Sequence, residues 1–308
     1  MGKVLIGIIS YFPKDKERKE FRKQAHEKQL AWIHDNIPDA DILIVSQCYE
    51  EGDYYDKIYP NIRYMKYDKP LGICGVRNVL LKEFYNSDYD YIAITDDDCT
   101  LLDRFGLKNF ISEFWSTPEK FFEVDAFAPL NPRFFPFKDP VASDSQMNNS
   151  YYKFVRTGSN NIHWFFLKNL KKHHDKEVYF VEGIDTAHGE GYEDLIFCYD
   201  LILAGCRYYQ LQTLLLRTEN IQGEKSTIFE STASREMYHK RSMQEVSRRY
   251  IKYGAKFVNG RWDLREFYRD YSKGLPKLYI KRAIPIDVFD DLEEEYAKVY
   301  KSAKKKLF

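Results

Sequence analysis

"YIAITDDDCT", residues 91–100, runs from an apolar stretch straight into three consecutive carboxylates, Asp96, Asp97 and Asp98. The first five residues have the β-branched and aromatic content of a buried strand. Three adjacent aspartates repel one another by roughly a kcal/mol per pair in water, and by more when partly buried. A chain that gathers them at one strand end either holds something positive there or turns the run to water as an Asx-type turn. In an extended strand end alternate side chains share a direction, so Asp96 and Asp98 can converge while Asp97 points elsewhere. Two carboxylates with waters and substrate phosphates suit Mg²⁺ or Mn²⁺. On spacing alone both readings stay open.

Outward from this stretch, the chain alternates strand and helix. Val4 to Ser10 reads as a near-continuous β run, followed by a helical segment from Lys16 to Ile33. Residues 40–47 and 62–68 read as a second and a third strand, and residues 75–86 as a helix leading into the opening stretch. Continuous apolar strands alternating with helices predict a mainly parallel sheet in an α/β domain. Further strands are expected in "VDAFAPLNP" (124–132), "YYKFVRTGS" (151–159), "VYFVEG" (178–183) and residues 207–217, with a helix over 192–205 closed by Gly205. After residue 234 the text turns basic and helical, with Ser234 as an N-cap and Gly254 as a stop. The expected division is an α/β domain over 1–234 and a basic helical region over 235–308.

Bulk properties narrow the function classes. At 308 residues and 44% hydrophobic content the chain can bury a sizeable core. Lys+Arg and Asp+Glu are equal at 47 each, so any nucleic-acid or membrane affinity must come from local patches. Residues 235–308 carry 19 Lys+Arg against 11 Asp+Glu, a surplus of 8, and the first 234 residues carry the matching deficit. Five scattered cysteines without a CxxC pair suit free thiols in a reducing cytosol rather than zinc. "MGKVLIGIISYFP" reads as a first core strand and not a signal peptide, and no stretch approaches the ~18 apolar residues of a membrane span. A cytoplasmic location is expected. Aromatic content of 17% fits either an aromatic core or a stacking surface.

A second acidic motif, "HGEGYEDLIFCYDLILAG" (188–205), opens a helix. Glu193 and Asp194 fall in its first turn, where the helix dipole favours anions. Gly189 and Gly191 precede them and would let the backbone approach a ligand. A carboxylate fixed there could act as a general base.

In motif order over residues 3–255, the chain resembles the nucleotide-sugar glycosyltransferases of GT-A fold, especially the inverting family 2. The resemblance rests on "IGIISYFP", on "GICGVRNVLLKEF", on the Asp-x-Asp motif in "ITDDDC", and on the Glu-Asp motif in "GEGYEDLIFCYDLILAG". It implies a Rossmann-like mixed, mainly parallel sheet flanked by helices. It further implies that Asp96 and Asp98 bind Mn²⁺ or Mg²⁺, with His239 completing the metal site. Asp97 would lie on the donor sugar or ribose, Arg77 and Asn78 would contact the donor, and Ser10 and Tyr11 would line the nucleotide pocket. Asp194 would deprotonate the acceptor hydroxyl, Glu193 would orient substrate, and Gly189 and Gly191 would face the acceptor; Trp164 lies where this fold builds its acceptor wall, either as a stacking ring there or as part of the core. A UDP-sugar is the favoured donor.

The acceptor is less sharply marked. The style of the motifs also resembles small bacterial and T-even-like bacteriophage glycosyltransferases, some of which modify hydroxymethylcytosine in double-stranded DNA, and the basic C-terminus agrees. A cell-surface saccharide or lipid-linked precursor is the alternative acceptor. A nucleotidyltransferase would need a Gly-rich phosphate loop, which "GIISYFPKDKER" lacks. A non-catalytic sugar- or nucleic-acid-binding module is opposed by the intact acidic motifs.

Overall fold

The computed structural model describes residues 2–11, 15–47, 61–103, 109–116, 118, 125–130, 154–156, 164–182, 193–206, 208–218, 256–258 and 261–263. Its first half follows the expected alternation: β1 (Val4–Tyr11), α1 (Lys16–Asn36), β2 (Asp41–Gln47), β3 (Ile62–Tyr67), α2 (Gly72–Tyr85) and β4 (Tyr91–Asp96). Then come β5 (Cys99–Asp103), α3 (Asn109–Ser116), β6 (Ala126–Leu130), β7 (Phe154–Arg156), β8 (Trp164–Lys168), α4 (Leu170–His174), α5 (Glu193–Leu203) and β9 (Tyr208–Thr218). One mixed sheet holds all nine strands in the order β3-β2-β1-β4-β8-β6-β9-β5, with β7 beside β9. Strands β3, β2, β1 and β4 are mutually parallel, whereas β8 runs antiparallel to both β4 and β6. The chain is thus α/β, with a mixed sheet flanked by helices, as expected.

The alternation of β1 divides the core. Leu5 and Ile9 face one layer, with Leu80 and Phe84 of α2 and Phe197 of α5; Val4, Ile6 and Ile8 face the other, with Leu30 and Ile33 of α1 and Phe114 of α3. Gly7 lies between them, and a Cβ there would meet both Leu80 methyls at 3.1 Å, so the missing side chain lets α2 pack close. Helix α1 starts at Asp15, whose carboxylate accepts from the Arg18 N–H. Four cysteines, Cys74, Cys99, Cys198 and Cys206, are free and buried. Among the described residues no helix is long and apolar enough to cross a membrane.

Two sequence-based expectations need correction. Residues 178–182 form no strand: the Tyr85 hydroxyl donates to the Val178 carbonyl, and Asn78 bonds both the N–H and the carbonyl of Phe180. Side chains of α2 thus satisfy a backbone that a ladder would otherwise satisfy. In the region expected to be helical, β10 (Lys256–Val258) and β11 (Arg261–Asp263) pair antiparallel with Val258 opposite Arg261. Asn259-Gly260 joins them in sequence, a two-residue hairpin signal that outweighs helical periodicity. The remainder of the basic helical segment after residue 234 lies outside the described residues, as do His239, Gly189 and Gly191.

Candidate active site

Strand order reverses beside β1: β2 and β3 continue on one side and β4 lies on the other. In open α/β sheets this crevice, beyond the carboxyl ends of the strands, is where ligands bind. The ends of β1 and β4 meet there, with Ile9 opposite Asp96. The acidic turn is therefore at the switch point, and it is not a solvated turn, because Asp97 is 0% and Asp98 6% exposed.

Burial forces each carboxylate to have partners. Asp97 Oδ2 accepts from the Ser10 hydroxyl at 2.9 Å and from the Tyr11 N–H at 3.3 Å, and Oδ1 lies 3.3 Å from Arg22 Nη2. Asp98 Oδ2 lies 3.2 Å from Arg22 Nη1, and its Oδ1 accepts from the Cys99 thiol. Burial pushes the Asp97 carboxyl up, to about 6, while Arg22 opposes that rise. Asp96, Asp98 and Cys99 bring one ligand atom each within 4.8 Å of one another. Burial first, then Asp98 and Asp96, raises the Cys99 thiol well above its ordinary value. The two carboxylates of this set are hard oxygen donors of the kind that suits Mg²⁺ or Mn²⁺.

The second acidic motif reaches the same place through Arg77. Its guanidinium, 1% exposed, lies 2.7 Å from Asp194 Oδ1, 3.7 Å from Glu193 Oε1 and 3.6 Å from Asp96 Oδ1. It also packs over the Phe180 ring, which stacks on Phe197 of α5. Burial works against the charge on Arg77, but Asp194, Asp96 and Glu193 more than offset it, and its pKa lies above the ordinary value. Among the described residues, five carboxylates (Asp96, Asp97, Asp98, Glu193 and Asp194) gather around the Arg22 and Arg77 guanidiniums.

These placements revise several expected roles. Arg77 is buried beneath the carboxylates as a strut between α2, β4 and α5, and Asn78, one residue on, points to Phe180 and Glu182. Among the described residues, the Nη atoms of Arg77 and the side-chain amide of Asn78 are thus engaged within the protein. Ser10 is buried with its hydroxyl committed to Asp97, and Asp97 in turn has no oxygen facing a sugar; both support the end of β1. Tyr11 remains half-buried at that end. Trp164 is fully buried, its indole N–H donating to the Cys99 carbonyl at 3.0 Å and its ring edge-on to Trp32. A ring so enclosed has no face for an acceptor.

Sequence reasoning missed the inward polar face of α1. Arg22, His26 and Gln29 follow helical spacing on the side that also buries Ala25, Leu30 and Ile33. Gln29 donates to the carbonyls of Asp96 at 2.5 Å and Cys99 at 2.6 Å, pinning both ends of the acidic turn. His26 is buried, and desolvation lowers its pKa to about 4. The available signal was polar residues at i, i+4 and i+7 where periodicity demands apolar ones.

No protein-family model matches the chain, and no curated protein matches it. Among solved structures, TarS 1–349 of S. aureus is similar at 11% identity, covering 91% of this chain and 83% of that one, with a TM-score of 0.46. A longer TarS structure gives 12%, 91%, 50% and 0.47. Glucosyl-3-phosphoglycerate synthase from Mycobacterium tuberculosis, in complex with Mg²⁺ and uridine diphosphate, gives 9%, 84%, 85% and 0.42. At such identities and TM-scores these likenesses transfer no site.

Proposed function

We propose that this chain is a metal-dependent glycosyltransferase that moves a sugar from a nucleoside-diphosphate sugar, a UDP-sugar in preference, to an acceptor hydroxyl with inversion. The observation that carries the reading is the contact made by Arg77, which gathers Asp96 from the end of β4 and Glu193 and Asp194 from the start of α5 into one charged cluster. A site for leaving-group charge and a site for a base are thereby side by side, the two requirements of displacement at an anomeric carbon.

Asp96 and Asp98 would hold the cation, Mn²⁺ or Mg²⁺, which when bound neutralises charge on the departing nucleoside diphosphate. Asp194 is the base: Arg77 engages its Oδ1 and fixes its orientation, and among the described residues no hydrogen bond or ion pair is found at Oδ2. That oxygen takes the acceptor proton as the hydroxyl attacks the face opposite the leaving group. Glu193, behind it, shares the guanidinium and holds the start of α5 in place. Tyr11, the last residue of β1, lines the nucleotide side.

The test is a thermal-shift panel of UDP-, GDP- and CMP-sugars with and without Mn²⁺. One nucleotide sugar should raise Tm only with the cation, and Asp98→Asn should abolish that rise. A chain indifferent to every donor sinks the reading. For the acceptor, the resemblance to phage enzymes suggests hydroxymethylated or already glycosylated cytosine in double-stranded DNA, and the basic 235–308 region agrees with a phosphate backbone. Salt-sensitive binding to such DNA is expected in a gel shift, and no binding at low salt removes DNA as the acceptor.

A further inference from the structure

Helix α1 supports the acidic turn in two separate ways. Gln29 holds its backbone through the carbonyls of Asp96 and Cys99, whereas Arg22 touches only carboxylates, one nitrogen on Asp97 and the other on Asp98. The shape of the turn is therefore secured apart from the charge that Arg22 contributes. That charge sits 3.2 Å from Oδ2 of Asp98, while Oδ1 accepts a hydrogen bond from the Cys99 thiol. A dication arriving between Asp96 and Asp98 meets a guanidinium already neutralising part of one ligand. For hard cations held by oxygen, ligand charge is a main determinant of affinity.

We propose that Arg22 tunes the affinity of the acidic turn for its divalent cation, acting as a built-in counter-cation on Asp98 that weakens binding and relieves carboxylate repulsion when the cation is absent. The inference rests on the reading of Asp96 and Asp98 as the cation's ligands. Arg22 is a positioning residue here, since it acts through Asp98 and Asp97 rather than on substrate. Both effects follow from one fact: a charge that relieves repulsion among buried carboxylates also repels the ion that would otherwise relieve it.

The experiment is a Mn²⁺ titration of the full chain without donor, followed by the electron paramagnetic resonance of free Mn²⁺, with thermal shifts on the same samples. Arg22→Gln should bind Mn²⁺ about tenfold tighter than wild type, and Mn²⁺ should raise its Tm by more. Arg22→Lys keeps the charge and should stay within about twofold of wild type, which covers the case of a glutamine variant that does not fold. Unchanged or weaker binding by Arg22→Gln, or a tenfold change in Arg22→Lys, overturns the tuning role. Asp98→Asn separates the layers: if wild type binds no Mn²⁺, or Asp98→Asn binds it equally well, the metal reading fails and the tuning role goes with it. Loss of binding in Asp98→Asn with no change in Arg22→Gln overturns the tuning role alone.

Discussion

Arg77→Met is the substitution that most directly tests the architecture of the site. Methionine replaces the aliphatic stem but removes a fully buried guanidinium that faces Asp194, Asp96 and Glu193 within 2.7–3.7 Å. Removing one partner of a buried ion pair costs about 3–5 kcal/mol, because the remaining charge stays desolvated and uncompensated. At about 2–4 °C per kcal/mol for a large domain, Tm should fall by about 6–20 °C. Thermal and urea unfolding of the wild type, Arg77→Met, Asp194→Asn and the double variant give a cycle. The double variant should be less damaged than the two single losses added together, with a coupling of at least about 1.5 kcal/mol, since each partner's removal relieves the other's isolation. An Arg77→Met protein that melts within about 2 °C of wild type, or a cycle that closes with no coupling, would refute the strut.

Three further outcomes are expected. Asp194→Asn should retain donor-induced stabilisation but lose transfer by about 10²–10⁴-fold, and near-normal turnover would sink its role as base. Burial lowers His26 to about 4, so between that value and its ordinary 6.5 the unfolded chain takes a proton that the folded chain refuses. Its contribution is complete above about pH 6.5 and falls by up to about 3 kcal/mol as pH drops through about 4. Asp97, raised to about 6, acts in the opposite sense, so the measured quantity is the difference between wild type and His26→Gln in cation-free urea melts from pH 7 to 4; a flat difference contradicts the assignment. Trp164→Phe should cost about 1–2 kcal/mol through the lost bond to Cys99, with acceptor KM within twofold of wild type. A raised KM at unchanged stability would restore the acceptor role.

The first half of the fold was legible because its elements are long and its patterns are local. β1 and β4 are apolar on both faces, as central strands of a covered sheet must be, and α2 and α5 carry helix-forming runs. The later strands were harder. Segment 178–182 has strand composition, yet its backbone is satisfied by Asn78 and Tyr85, a side-chain solution that no periodicity announces. The hairpin at 256–263 carried its signal in Asn259-Gly260, and helical charge patterning around it obscured that signal.

For the site, the sequence by itself determined where the negative charge lies: at the end of β4 and in the first turn of α5, each readable from local composition and position in an element. Only the tertiary structure decided which cations meet that charge. Arg77 reaches Asp194 across 117 positions, and Arg22 reaches Asp98 across 76. Packing also withdrew Arg77, Asn78, Ser10, Asp97 and Trp164 from the substrate-facing roles that their motifs suggested, by enclosing them or committing their polar atoms to neighbours. The physical reason is that propensity and dipole effects act within a few residues. A buried ion pair depends on which helix covers which strand end, and separation along the chain says nothing of that.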